Sequence, residues 1–233
     1  MAAGAHPLVF APAARPVVPV AGEAGGFPVH RIYCVGQNYR EHAREMGDSG
    51  RAPPFFFAKP ADAVCLGPAV PYPPMTENLH HEVELVVALG GEGADVGVER
   101  ALELVYGYTV GVDLTRRDLQ TAARQAGRPW TTAKGFDHSA PLAPLQPVGR
   151  RGHPGNAAIR LSVNGTLRQQ GSTADMIWSV AEVIAELSRF FELQAGDLVF
   201  TGTPPGVGPL VPGDRVECEI DGVAALAFTM GSR

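Results

Sequence analysis

The chain has 233 residues, 45% of them hydrophobic and 18% charged, with a formal net charge of −5. That composition describes a soluble globular protein of one large or two small domains with a sizeable core. The negative balance and the lack of a basic block argue against nucleic acid as the main partner, and no apolar run is long enough to span a bilayer.

Residues 1–27 are rich in Ala, Pro and Gly and are expected as a loosely ordered lead-in with a short strand near residues 8–10. Pro7, Pro12, Pro16 and Pro19, with no Lys or Arg ahead of Arg15, make this stretch a poor secretory leader. Cys34, Cys65 and Cys218 form no C-x-x-C pair and read as reduced, mostly buried thiols of a cytoplasmic protein. Residues 31–35 are a strand candidate. The piece from Gly36 to Gly47 is helix-like, and on a helix His42 and Glu45, three apart, are neighbours. An imidazole held by a carboxylate is a general-base arrangement, although an exposed ion pair on a surface helix has the same spacing. Gly36, Gly47 and Gly50 bracket this piece, which suggests that residues 38–50 form a lid with glycine hinges. Phe55, Phe56 and Phe57 read as a core strand that ends at Lys59.

Residues 80–89, His-His-Glu-Val-Glu-Leu-Val-Val-Ala-Leu, read as a single strand that runs into the turn pair Gly90-Gly91. Side chains alternate along a strand, so Glu82 and Glu84 share a face with Val86 and Ala88, half-buried. Two adjacent carboxylates on such a face repel each other, and a hard divalent cation resolves the conflict. An edge strand with its acidic face in water carries the same spacing. A short helix near residues 98–104 follows, and then a strand over residues 106–113 that delivers Asp113 as a third oxygen ligand. Thr115 is placed to cap a helix over residues 116–126, stopped by Gly127 and Pro129. Of the 19 Lys and Arg residues only Lys59 and Lys134 are lysines, a mild hint that ammonium groups serve a purpose there.

Residues 146–156 read as a linker-like loop. Asn164-Gly165 and Asp221-Gly222 are hairpin turns, and Ser179 with Glu182 forms a capping box for an amphipathic helix over residues 180–191. The glycine- and proline-rich loop over residues 202–208 offers backbone N–H groups to an anion but fits no nucleotide fingerprint. The pattern is β-rich with three or four helices, an α+β fold with mixed sheets.

Taken in order, the stretches 32–45, 57–60, 81–85, 111–120, 133–136 and 201–204 resemble the fumarylacetoacetate hydrolase family. The resemblance covers roughly residues 28–230. It is strongest to the short bacterial and mitochondrial branch of acylpyruvate and fumarylpyruvate hydrolases, without the extra N-terminal domain of the eukaryotic enzyme. It implies a mixed β-sandwich roll with a few peripheral helices, one catalytic domain over residues 28–233, and a homodimer. It implies Mg²⁺ or Mn²⁺ on Glu82, Glu84 and Asp113, with His42, Glu45, Lys134 and Gln120 at the reacting centre. Lys59, Arg117, Arg40 and Thr203 would bind substrate, with Lys59, Arg117 or Arg40 at a distal carboxylate, while Arg117 also reads as a surface cation. The implied activity is cleavage of a C–C bond in a 2,4-diketo acid, with fumarylpyruvate the leading substrate. Decarboxylation of oxaloacetate and isomerisation of a related dicarboxylate use the same kind of site and stay open, as does a metal-binding protein without turnover.

Overall fold

The computed structural model describes residues 8–39 and 52–232, so Arg40, His42, Glu45 and nearly all of the expected lid lie outside the described residues. Two mixed sheets face each other. The larger has six strands in the spatial order Gln146–Pro147, Val105–Val112, Val83–Leu89, Leu198–Phe200, Ile32–Gly36, Phe55–Lys59. The second has five, Thr166–Ser172, Ala158–Val163, Arg215–Ile220, Ala224–Met230 and Ala69–Val70. The fold is α+β, with few helices.

Val83–Leu89 lies at the centre of the larger sheet, antiparallel to both Val105–Val112 and Leu198–Phe200. Its seven residues are all buried, where the sequence suggests a half-buried strand. The reason is cover on both faces. Val83, Leu85, Val87 and Leu89 join the core between the sheets, with Ile159, Leu161 and Val216. Val86 and Ala88 pack on the opposite side, with Leu142, Leu198 and Phe200. This second cluster also holds Val18 and Phe27, because Val17–Pro19 pairs antiparallel with Gly26–Pro28. The lead-in is therefore partly packed. Leu8, Val9 and Phe10 form no strand and are exposed.

Other local expectations shift in instructive ways. Thr115 does not cap the helix; it pairs with His80 in a short strand, and its hydroxyl donates to the Asp113 carbonyl. The helix Arg117–Gln125 starts after Arg116 without a side-chain cap. The helix Val180–Ser188 has the reciprocal Ser179–Glu182 box but ends before Phe190 and Phe191, whose rings stack on Phe56 and Tyr33 instead of entering the core. The expected loop at 146–156 contains a short strand and the helix Val148–Arg151. The Asn164-Gly165 hairpin forms with both residues at positive φ, 52° and 74°, as its turn type requires. The three cysteines are free and buried.

Gly111 stands directly across from Glu84. A Cβ there would lie 2.7 Å from Leu142 Cδ2, 2.9 Å from Val86 Cγ2 and 3.0 Å from Phe200 Cε1. Gly111→Ala is therefore expected to overpack this layer and destabilise the fold by about 1–3 kcal/mol. Urea unfolding should show a lower midpoint with an unchanged slope.

Candidate metal centre

The expected single strand over residues 80–89 is broken at Glu82. Leu79–His81 belongs to a small sheet with Thr115–Arg116 and Gly208–Leu210, and Val83–Leu89 to the six-stranded one. Glu82 sits at the crossover, where its carbonyl accepts the Asp113 N–H at 2.8 Å. That bond sets Glu82 and Asp113 abreast at the end of the paired strands, with Glu84 two residues further in. One carboxylate oxygen from each of the three lies within 4.8 Å of the others, and all three residues are buried.

Cations surround this cluster unevenly. Lys134 Nζ bridges Glu82 Oε2 and Asp113 Oδ2, each at 2.7 Å. Burial works against its charge, but Asp113 and Glu82 outweigh that and raise its pKa. Arg117 contacts Glu82 Oε1 and Gln120 Oε1. Glu84 has no cation in ion-pair range among the described residues; its Oε2 accepts the Gly202 N–H at 2.7 Å. Burial, and then the charges of Asp113 and Glu82, push its carboxyl well above the ordinary range. Lys59 Nζ lies 2.8 Å from Asp113 Oδ1, but off the direction a hydrogen bond needs, so that buried oxygen lacks a donor. An all-oxygen donor set with one carboxylate that has no cation in ion-pair range fits a hard divalent cation such as Mg²⁺ or Mn²⁺.

Of the residues singled out in the sequence, Glu82, Glu84, Asp113, Arg117, Gln120, Lys134 and Thr203 line one cleft. Lys59 does not. Its ammonium is buried behind Asp113 and contacts the carbonyls of Leu114 and Lys134, so it cannot reach a distal carboxylate. The Thr203 hydroxyl donates to the Val83 carbonyl at 2.8 Å, which leaves that hydrogen unavailable to a ligand. His80, beside Arg117, is lowered to about 4 by burial and the Arg117 charge, and its Nδ1 accepts from Arg117 Nε at 3.4 Å.

Sequence reasoning missed the aromatic wall. Trp130 contacts Phe55 and Phe57 edge to face, and all three line the cleft. Phe55 is 39% exposed rather than core. Its ring lies on Gly36, where a Cβ would meet it at 2.0 Å. The edge position of Phe55–Lys59 explains this, since a run of three Phe does not reveal which strand ends a sheet. Of the loop flagged for anion binding, the Gly202 N–H is taken by the protein's own Glu84.

The fumarylacetoacetate (FAA) hydrolase C-terminal family model matches residues 31–230. The crystal structure of fumarylpyruvate hydrolase from Pseudomonas aeruginosa in complex with Mn²⁺ and pyruvate is 51% identical, with a TM-score of 0.94 over 97% of this chain and 100% of that one. A fumarylpyruvate hydrolase of Ralstonia is 45% identical over 181 residues, 76% of this chain and 92% of that protein. The oxaloacetate tautomerase YcgM of Escherichia coli is also 45% identical, over 198 residues, 84% and 90% of the respective chains. Among the described residues, no helix is long and apolar enough to cross a membrane.

A cation that binds only the folded chain stabilises it by about 2.7 kcal/mol at a hundred times its Kd. Mn²⁺ is accordingly expected to raise Tm by roughly 5–10 °C in a chain of this size. Glu84→Gln should remain folded and lose most of that rise in a thermal scan. A full Mn²⁺-induced rise in the variant would contradict the assignment of Glu84.

Proposed function

The chain belongs to the fumarylacetoacetate hydrolase family, and on that premise we propose that it hydrolyses fumarylpyruvate to fumarate and pyruvate. Water supplies hydroxyl to C4 and a proton to C3 as the C3–C4 bond breaks. The observation that carries this reading is a cleft with carboxylates, Lys134 and Arg117 at its floor and Phe55, Phe57 and Trp130 on its wall. Apolar ring faces suit a flat, conjugated tail better than a short polar one.

Charge supports a dianionic substrate. Glu82, Glu84 and Asp113 are matched in number by Lys59, Lys134 and Arg117. A divalent ion leaves an excess of positive charge that a dicarboxylate neutralises and a monoanion such as acetylpyruvate only halves. When bound by the three carboxylates, the ion supplies a Lewis acid toward the keto and carboxylate oxygens. Lys134 holds Glu82 and Asp113 in place and contributes positive charge where oxyanion character develops. Arg117 and Gln120, hydrogen-bonded to each other, orient the keto acid along the cleft wall. His42 is assigned the base that takes a proton from water, oriented by Glu45; this assignment rests on their sequence spacing. The distal carboxylate, without Lys59, falls to Arg40. A homodimer is part of the same reading, and the exposed rings of Phe190 and Phe191 offer it an apolar face.

The likeness to the Escherichia coli tautomerase favours a second reading, enol–keto exchange of oxaloacetate. That reaction moves a proton between the enol oxygen and C3, with neither hydrolysis nor C–C bond cleavage. Product analysis with fumarylpyruvate, acetylpyruvate and oxaloacetate at saturating Mn²⁺ separates the two. Fumarylpyruvate is expected to show the highest kcat/KM, with pyruvate released; faster turnover of oxaloacetate would favour the second reading.

Phe55→Ala removes one ring from the wall. It should lower kcat/KM for fumarylpyruvate by roughly 3- to 10-fold, the worth of an aromatic contact, and leave oxaloacetate turnover nearly unchanged. His42→Ala is expected to lose about 10²–10⁴ in kcat for hydrolysis while it binds Mn²⁺ with parental affinity. Near-parental kcat in that variant would remove His42 from the base role.

A further inference from the structure

Gln169 lies on the edge strand Thr166–Ser172, whose other residues are exposed or half-buried, yet it is itself fully buried. The register explains how it turns inward. Leu161 pairs with Gln169 and Ser162 with Leu167, so Arg168 is an extra residue in a bulge. Bulges beside functional sites commonly re-aim a side chain in this way. The 202–208 loop is pressed onto the same strand: a Cβ on Gly206 would lie 2.2 Å from the Arg168 carbonyl, and one on Gly171 2.7 Å from Pro204 Cβ.

All the hydrogen-bonding capacity of this carboxamide is used. Oε1 accepts from Val83 N at 3.0 Å and lies 2.9 Å from His81 Nδ1. Nε2 donates to Thr203 Oγ1 at 2.8 Å and to the Pro204 carbonyl at 2.9 Å. The backbone groups of Val83 and Pro204 fix which end is oxygen, and that in turn places a proton on His81 Nδ1. Val83 N stands at the chain break beside Glu82. Thr203 donates back to the Val83 carbonyl, which closes a ring of Val83, Gln169 and Thr203.

We infer that Gln169 is a positioning residue: it hydrogen-bonds both neighbours of Glu82 and ties that stretch of chain to the Thr203 loop. This rests on the reading of Glu82 as a metal ligand. Groups that orient ligands from behind typically change metal affinity or activity by roughly 10- to 100-fold when removed.

The test compares Mn²⁺ affinity, by calorimetric titration, with steady-state constants for fumarylpyruvate, both well below Tm. Gln169→Met keeps the length and removes all four contacts. It is expected to weaken Mn²⁺ binding at least tenfold and to lower kcat. Gln169→Glu keeps the acceptors for His81 and Val83 and loses the donors to Thr203 and Pro204. It is expected to bind Mn²⁺ within about threefold of the parent and to raise KM several-fold. A merely structural glutamine would lower Tm in both variants and move neither constant. Folded Gln169→Met with parental Mn²⁺ affinity and kcat overturns the inference. If Gln169→Met does not fold, an unchanged KM in Gln169→Glu overturns it. A parent without Mn²⁺ affinity sinks the metal reading and this inference together, whereas a parent that binds beside an unaffected variant sinks this inference alone.

Discussion

Glu84 is buried with its carboxylate close to those of Glu82 and Asp113. Taking such groups out of water is unfavourable by several kcal/mol each unless opposite charge or N–H donors replace the solvent. Much of the surrounding structure meets that constraint. Lys134 bridges two of the carboxylates, Arg117 takes the outer oxygen of Glu82, Lys59 stands behind Asp113, and the Gly202 N–H reaches Glu84. The compensation is incomplete at Glu84, which has no cation in ion-pair range among the described residues and whose carboxyl is pushed well above its ordinary range. An oxygen-only donor set in which Glu84 has no ion-pair partner of its own suits a small divalent ion.

The fold gives that pocket rigidity. Glu84 is fixed in the middle of a sheet covered on both faces, and its cross-strand neighbour Gly111 lets Leu142, Val86 and Phe200 pack closely there. Glu82 and Asp113 are set by a backbone bond where the chain changes sheets. Glu84 therefore comes from a regular, well-packed strand, which holds a geometry better than a loop does, while Glu82 and Asp113 lie just outside the strands and are held by that backbone bond. The aromatic wall stands on the edge strand and the turn that opens the Lys134 helix, where sequence changes disturb the core least. Position in the sheet thus separates the buried polar floor from the partly exposed aromatic wall.

The floor was legible in the sequence because its signals are local. Two glutamates at strand spacing and an aspartate that closes a second strand each read directly from neighbouring residues, whereas Lys134 was placed there by the family resemblance. The capping box at Ser179 and the hairpin turn at Asn164-Gly165 were legible for the same reason. What escaped depends on contacts distant in sequence. The break at Glu82 arises because Leu79–His81 finds partners in another sheet, 115–116 and 208–210. Lys59 reads as a free cation until the fold places it behind Asp113. Gln169 looks like one polar residue among several on an exposed strand, and only the bulge turns it inward. Phe55 belongs to a run that resembles core, and its exposure follows from its place at a sheet edge.

The central claim is that Glu82, Glu84 and Asp113 form one divalent-cation site at the floor of the cleft. Anomalous diffraction at the manganese edge, from crystals of the metal-stripped protein soaked in Mn²⁺, addresses it most directly. The account predicts one strong peak per chain within bonding distance of an oxygen from each of the three carboxylates. A strong peak elsewhere with none among these three residues would contradict it.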